Sequence, residues 1–402
     1  MLIERDISEE LQTLVNEYRV VTILGPRQAG KTTLAKTVLK DYIYSNLEDP
    51  ETRHLAETDP KAYLAELNGK VIIDEIQRVP HLLSYIQVVV DESEIMGQFV
   101  LTGSHQLSLR EAITQSLAGR TAILHLLPLS IHELEKAKLG FDSMEEYCFT
   151  GFMPGIYAQS QRPTTAYANY YQTYVERDVR QLIHLKDASL FEKFLKLIAG
   201  RIGQVFDYSS LANDVGVNAK TIRHWISILE ASFIIFKLPP YFENFGKRVI
   251  KSPKYYFTDV GLLCFLLGIR APEQIRRDPL LGQIFENLIV IECLKTRYNL
   301  GVPPDLYYFR DSKGNEVDLL IQSERQLQAV EIKSASTFHS DQLKGLRLFA
   351  KITDSLAASW LIYTGDKHSL SNTTTALNYT DVRSIFCESL HKSHPRTQSM
   401  RR

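Results

Sequence analysis

The chain has 402 residues, 44% of them hydrophobic and 23% charged, with a formal net charge of −1. That length suits two or three domains, and the near-neutral balance excludes a global basic field, so nucleic-acid contact would need local patches. Cys148, Cys264, Cys293 and Cys387 form no CxxC pair, which argues against a zinc site or a disulfide framework and fits a reducing compartment. The charged opening MLIERDISEE does not read as a secretory signal, and the longest apolar run, residues 260–269, is too short to span a bilayer. The expectation is a cytoplasmic protein with no membrane contact.

Residues 1–135 alternate strand-like runs (VVTILG, VIIDEI, FVLTGS) with helical ones, the pattern of a parallel α/β sheet. Between the first strand and the first of these helices stand Gly25, Pro26, Arg27, Gln28, Ala29, Gly30, Lys31 and Thr32, a full G-x4-GK[ST] loop, followed by Thr33. Its glycines let backbone N–H groups turn toward phosphate oxygens, and the following helix N-terminus adds partial positive charge. Lys31 is expected to reach the β and γ phosphates, and Thr32 to ligate Mg2+. In KVIIDEIQRVP, Asp74 is placed to hold the Mg2+ shell and Glu75 to act as general base on the attacking water. Thr102 and Ser104 fall just past a further strand, where a polar side chain can sense the γ phosphate. The NKxD-type guanine signature is missing, which favours ATP over GTP. Arg120 is the first candidate for the arginine that neutralises transition-state charge, from the same chain or a neighbour, with Arg110 and Arg53 as weaker ones.

Residues 136–200 read as a helical segment, broken at GFMPG and containing AQSQRPTT as a linker. Within 201–277, Leu211 and Val215, then Gly216, then Ile222, Trp225, Ile226 and Leu229 describe two short amphipathic helices joined by a tight turn. The opposite face of the second helix carries Lys220, Thr221, Arg223 and His224, which could meet a major groove. Lys247, Arg248, Lys251 and Lys254 follow in a ribbon suited to phosphate contact. Nucleic acid, DNA in preference to RNA, is therefore an expected partner. Residues 278–385 return to mixed α/β, and 386–402 form a basic tail expected to be disordered.

The most informative stretch of the last domain is EVDLLIQSERQLQAVEIKS, residues 316–334. A hairpin turning at Glu324-Arg325 sets Gln322 opposite Leu327 and carries the register down to Asp318 opposite Glu331. Side-chain alternation then gives one polar face of Asp318, Glu331 and Lys333, with Glu316 opposite Lys333. The other face is Val317, Leu319, Ile321, Val330 and Ile332. Two opposed carboxylates repel unless a cation lies between them, and hard oxygen ligands suit Mg2+ or Mn2+. Lys333 could then orient a water or stabilise phosphate charge. Glu286, on an apolar helical face, is a candidate third carboxylate. The D-x12-E-x-K spacing resembles the signature of PD-(D/E)XK nucleases.

Taken together, GPRQAGKTTL, VIIDEIQRVP, FVLTGSHQ, SLAGRTAILHLLPLS and GFMPGIY resemble an AAA-type (AAA_14) P-loop ATPase domain fused to a DUF4143-type C-terminal region. The resemblance implies a P-loop sheet, a helical segment, a winged helix and a mixed α/β domain with a PD-(D/E)XK nuclease-like fold. It also implies a homo-oligomer, in which a neighbour supplies the arginine. The expected function is ATP hydrolysis coupled to binding and processing of nucleic acid. The alternative is an ATP-dependent switch or scaffold, in signalling or defence, whose nuclease-like domain does not cut.

Overall fold

The structure is a computed structural model that describes residues 1–104, 116–183, 187–242 and 251–386. Five short strands open the chain: β1 Val20–Leu24, β2 Ile43–Asn46, β3 Val71–Asp74, β4 Phe99–Gly103 and β5 Thr121–His125. They form a sheet in the order β2-β3-β4-β1-β5, with every pairing parallel. A parallel sheet is covered on both faces, so its inner strands are apolar without alternation. β1, with all five residues buried between β4 and β5, obeys this. Leu11, Val15, Leu34 and Ala35 cover one face of the sheet, and Leu82, Leu83, Ile86 and Val90 the other. The phosphate loop thus leaves the sheet where the chain order reverses about β1, the place where open α/β sheets bind ligands.

A helical region follows, with helices Met144–Thr150, Pro154–Ala158, Pro163–Tyr170 and Ala188–Ala199 and a π-helical stretch Tyr171–Val179. The linker expected over AQSQRPTT shrinks to residues 159–162. Pro163 occupies the first helical turn, where its fixed φ and missing N–H cost nothing. Asp259 holds this region together. It is 3% exposed, and it accepts hydrogen bonds from Gly261 N (2.8 Å), Phe152 N (3.0 Å) and Tyr167 Oη (2.6 Å).

Helix Tyr208–Val215 ends on Gly216 in the left-handed conformation (φ 94°), and Asn218 caps helix Ala219–Ala231. Ile222, Trp225, Ile226 and Leu229 are all buried, as their spacing predicts. Strands β6 Ile235–Leu238 and β7 Lys254–Phe257 then pair antiparallel. Lys247, Arg248, Arg110, Cys387 and the basic tail beyond residue 386 lie outside the described residues.

The C-terminal region packs the long helix Leu281–Asn299 against a six-stranded sheet. Its strands are β8 Leu306–Arg310, β9 Glu316–Ser323, β10 Gln326–Ile332, β11 Leu356–Tyr363, β12 His368–Ser369 and β13 Thr374–Asn378, ordered β12-β13-β11-β10-β9-β8. β10 pairs parallel with β11, and β11 with β13, in an otherwise antiparallel sheet. Backbone bonds from Tyr241 N to Tyr308 O (2.8 Å) and from Tyr308 N to Pro239 O (3.1 Å) tie the preceding module to the β8 edge. Asn287 completes the joint, accepting from Phe257 N (2.7 Å) and donating to Phe257 O (2.9 Å).

Because three elements depend on one buried carboxylate, Asp259→Ala should lower unfolding stability by about 2–4 kcal/mol, the cost of stranding buried donors to a charged acceptor. Chemical denaturation of the two proteins measures this.

Candidate nucleotide and carboxylate sites

Two positions in the phosphate loop are dictated by backbone geometry. A Cβ on Gly25 would lie 2.0 Å from Leu126 O, so no larger residue fits beside β5. Gly30 adopts φ 92° as the N-cap of helix Lys31–Val38, a conformation that disfavours other residues. Gln28 also takes a left-handed turn (φ 63°). Lys31 is 5% exposed and its Nζ donates to Gly25 O (3.0 Å) and Pro26 O (2.8 Å). Burial pulls its pKa down to about 8, against the opposing pull of Glu75 and Asp74.

Asp74 ends β3 and is surrounded by hydroxyls. Thr32 Oγ1 donates to both of its oxygens (3.0 and 2.9 Å), Tyr44 Oη to Oδ2 (2.8 Å) and Thr102 Oγ1 to Oδ1. Burial and the Asp74 carboxylate raise the Tyr44 pKa above its ordinary value. Thr32 and Asp74, oxygen donors held side by side, fit a Mg2+ ion. Glu75 takes a left-handed turn (φ 59°), rare for a non-glycine residue and worth about 1–3 kcal/mol of strain. Its N–H donates to Thr102 Oγ1 (3.2 Å), and its Oε2 accepts from Gln77 Nε2 and Ser104 Oγ (3.3 Å). Thr102 and Ser104 thus hold the two acidic residues in place. Thr33 lines a mostly apolar cavity of about 230 Å3 with Leu2, Ile3, Gly30, Leu34 and Pro154.

The Arg27 guanidinium lies 3.9 Å from Glu48 and 5.6 Å from the centre of the Tyr174 ring. Arg120 is placed differently from the expectation of an arginine acting within its own chain. β5 runs parallel to β1 with Thr121 beside Val20, so Arg120 sits at the end of the sheet away from the loop. One strand of five residues, about 16 Å, separates them. Arg120 pairs there with Asp91, at 2.5 and 2.9 Å. Arg53 lies half-buried on helix Pro50–Thr58.

Residues invisible to motif reading support the loop from behind. Arg5 is 8% exposed and donates to Ala29 O (2.7 Å), Leu127 O (2.7 Å), Pro128 O (3.4 Å) and Glu133 Oε1 (3.0 Å). Glu133 also accepts from Asp6 N and Ser130 N (both 2.8 Å). Next along, Glu292 accepts from Ile131 N (2.8 Å), and Lys295 donates to Leu129 O and Glu292 Oε1 (both 2.7 Å). The only sequence signal was the capping-box spacing of Ser130 and Glu133, which the structure realises in full.

In the C-terminal region the β9–β10 pairing follows the expected register from Ser323–Gln326 through Leu319–Val330. Beyond that it departs. Tyr307 pairs with Leu320 but Phe309 with Val317, so Asp318 and Leu319 together oppose Tyr308 in a β-bulge. The bulge moves Val317 into the cluster of Leu320 and Phe309, instead of the Leu319 face. It also sends Asp318 Oδ2 to accept from Ile332 N (2.8 Å), so Asp318 does not continue the ladder opposite Glu331. The polar face extends only over the strand ends, because Leu320, Leu327 and Ala329 on β9 and β10 are buried in the same cluster.

Lys254 departs furthest from its expected role as a phosphate contact. It is 2% exposed, with Nζ 2.9 Å from Glu286 and 2.5 Å from Glu316. Burial opposes its charge, yet Tyr256, Glu286, Glu316 and Asp318 together hold its pKa well above the ordinary value. Glu286 accepts a further bond from Tyr256 Oη (2.6 Å), and Glu316 pairs with Arg310 (3.0 Å) instead of Lys333. Lys333 lies 2.7 Å from Glu331 and 3.5 Å from Asp318. Burial, then Asp318, pushes the Glu331 pKa up to about 8 against the pull of Lys333. Burial likewise raises that of Glu286, against Lys254. Two lysines therefore neutralise the carboxylates that were expected to need a metal. Among the described residues no group of three or more His, Cys, Asp or Glu side chains is placed to hold a metal ion.

On helix Ala219–Ala231, Lys220, Arg223 and His224 are exposed, with Arg223 4.9 Å over the Tyr208 ring. Lys251 is exposed too. No helix among the described residues is long and apolar enough to cross a membrane.

Fold and loop together define an N-terminal P-loop domain of AAA type. Residues 17–135 match the AAA domain family, 141–273 a domain of unknown function (DUF8612), and 281–382 a domain of unknown function (DUF4143). The chain is 33% identical over 384 residues to the uncharacterized protein Rv2008c of Mycobacterium tuberculosis, covering 94% of this chain and 84% of that one. It belongs to the same family. A more distant relative is the uncharacterized protein MJ1637 of Methanocaldococcus jannaschii, 24% identical over 72% of this chain and 71% of its own. Among solved structures, the Walker-type ATPase PABY2304 of Pyrococcus abyssi matches 66% of this chain and 96% of its own, with a TM-score of 0.44 and 13% identity.

The lysine at the centre of the second cluster is testable. Lys254→Met should destabilise the protein by about 3–5 kcal/mol, because Glu286 would lose its lysine partner while Glu316 would keep only Arg310. Lys254→Met with Glu286→Gln should recover part of that loss, as a double-mutant cycle would measure.

Proposed function

We propose that the protein hydrolyses ATP and uses the nucleotide cycle to act on nucleic acid held by its helix pair. The observation that carries this reading is the convergence of Lys31, Thr32, Asp74 and Glu75 on one loop at the sheet's switch point. Lys31 would leave the loop carbonyls for the β and γ phosphates. Thr32 and Asp74 would hold Mg2+, which neutralises phosphate charge when bound. Glu75 would take the proton of the attacking water. The cavity beside Thr33 has the size and apolar lining for a purine ring, which accords with ATP. The exposed Lys220, Arg223 and His224, with Lys251, would meet a DNA groove in the manner of a winged helix. Homo-oligomers would place a neighbour's arginine at the γ phosphate, a part that Arg120 could play only between chains. A cytoplasmic setting accords with this chemistry.

For the C-terminal region the favoured reading is a nuclease-like domain that binds without cutting, because Lys254 stands between Glu286 and Glu316. One observation favours a second reading, Mg2+- or Mn2+-dependent cleavage. Asp318, Glu331 and Lys333 lie together, and Glu331 Oε2, buried, has no hydrogen-bond partner among the described residues.

One set of assays separates these readings. ATP turnover should fall at least about 100-fold in Lys31→Ala and in Glu75→Gln. A DNA panel with Mg2+ or Mn2+ should remain uncut by wild type. Cleavage abolished by Asp318→Ala would instead establish the second reading, and unchanged turnover in Lys31→Ala would overturn the first.

A further inference from the structure

Glu75 is not alone at the end of β3. After its left-handed turn the chain enters a single 3-10 turn, Ile76–Arg78, which brings the Gln77 side chain back over the carboxylate two residues earlier. Gln77 Nε2 donates to Glu75 Oε2 and to Ser104 Oγ (3.0 Å), and Ser104 Oγ donates to the same Glu75 oxygen (3.3 Å). Ser104 is fully buried at the end of β4, the neighbouring strand, so the triangle is anchored on two strands of the rigid sheet. Gln77 Oε1, on the same amide, is buried and has no hydrogen-bond partner among the described residues. A sealed acceptor of that kind costs about 1–3 kcal/mol, a penalty removed when a donor reaches it.

We infer that Gln77 is a water-positioning residue for the hydrolysis proposed above, an inference that rests on that reading. Gln77 acts through Glu75: its Nε2 and the Ser104 hydroxyl hold one carboxylate oxygen, Oε2, and so set the direction in which the other oxygen meets the attacking water. Glu75 accepts one proton of that water as attack proceeds. The water oxygen bonds to the γ phosphorus, and the bond from that phosphorus to the β–γ bridging oxygen breaks. Its electron pair leaves on ADP, the proton stays on Glu75 until release, and the products are ADP and inorganic phosphate. A carboxylate by itself can take a proton but sets the approach of the water poorly. An orienting amide supplies the angular constraint, and loss of such positioning costs on the order of 100-fold.

Length and chemistry at this position are both constrained. Asparagine is one methylene shorter and would not span from the 3-10 turn to Glu75 and Ser104 together. Methionine keeps the length and volume of glutamine but has neither the amide donor nor the carbonyl acceptor.

The test compares wild type, Gln77→Met, Gln77→Asn and Glu75→Gln by ATP turnover with Mg2+, thermal unfolding, and equilibrium binding of a fluorescent, non-hydrolysable ATP analogue. In Gln77→Met, kcat should fall about 100-fold while unfolding temperature and analogue affinity stay within twofold-equivalent limits of wild type. Gln77→Asn should recover less than a tenth of the lost rate. A purely structural role would instead move stability or affinity and leave kcat of the folded, nucleotide-bound enzyme unchanged. Wild-type kcat in Gln77→Met overturns the inference, while a dead Glu75→Gln beside an active wild type leaves the ATPase reading standing. Failure of wild type to turn over ATP overturns both.

Discussion

The buried guanidinium of Arg5 is the contact on which the arrangement depends. It spans from Ala29 in the phosphate loop to Leu127 and Pro128 after β5 and to Glu133 on the next helix. Glu133 and Glu292 then serve adjacent N–H groups of the same helix start, Ser130 and Ile131, and Lys295 closes the chain onto Leu129. Phosphate loop and long C-terminal helix are thereby joined through charged groups that are almost entirely out of water. Removing one partner from such a set is far more costly than making the set is rewarding. It fixes geometry more than it adds stability.

The same helix, Leu281–Asn299, carries Glu286 less than two turns before Glu292, and Glu286 meets Lys254 of β7. Nucleotide loop, helix pair and C-terminal sheet are therefore linked by one rod with an ionic joint at each contact. Two buried lysines differ in kind. Lys31 rests on backbone carbonyls of the phosphate loop, partners that phosphate oxygens would replace under the proposed function. At the second cluster the buried Lys254 faces two carboxylates, Glu286 and Glu316, fixed charges on the protein itself. The first arrangement suits a ligand that comes and goes, and the second a fixed support.

Legibility from the sequence followed the range of the interactions. The phosphate loop is local, eight residues between a strand and a helix, and Gly25, Gly30, Lys31 and Thr32 stand where the spacing puts them. The hairpin register is also local, because a two-residue turn with Glu324 at φ 54° determines every pair as far as Leu319–Val330. The bulge at Asp318 was not readable, since it arises from β8, a strand that pairs from the far side. Lys254 was misjudged for a related reason. In the sequence it belongs to a basic run, and only the docking of β7 on the long helix turns it inward. Arg120 could have been placed better, because a parallel strand starts at the end of the sheet remote from the phosphate loop. Gln77 and Arg5 belong to no expected motif role, and their partners are set by the turn after β3 and by the path of the N-terminal segment.

Calorimetric titration of ATP with Mg2+ into wild type and into Arg5→Leu, with folding of both verified by circular dichroism, tests the account most directly. One ATP should bind per wild-type chain, with an affinity at least about tenfold weaker in Arg5→Leu, although the guanidinium is bonded to the back of the loop. Equal affinity in the two proteins, or no binding to wild type, would contradict it.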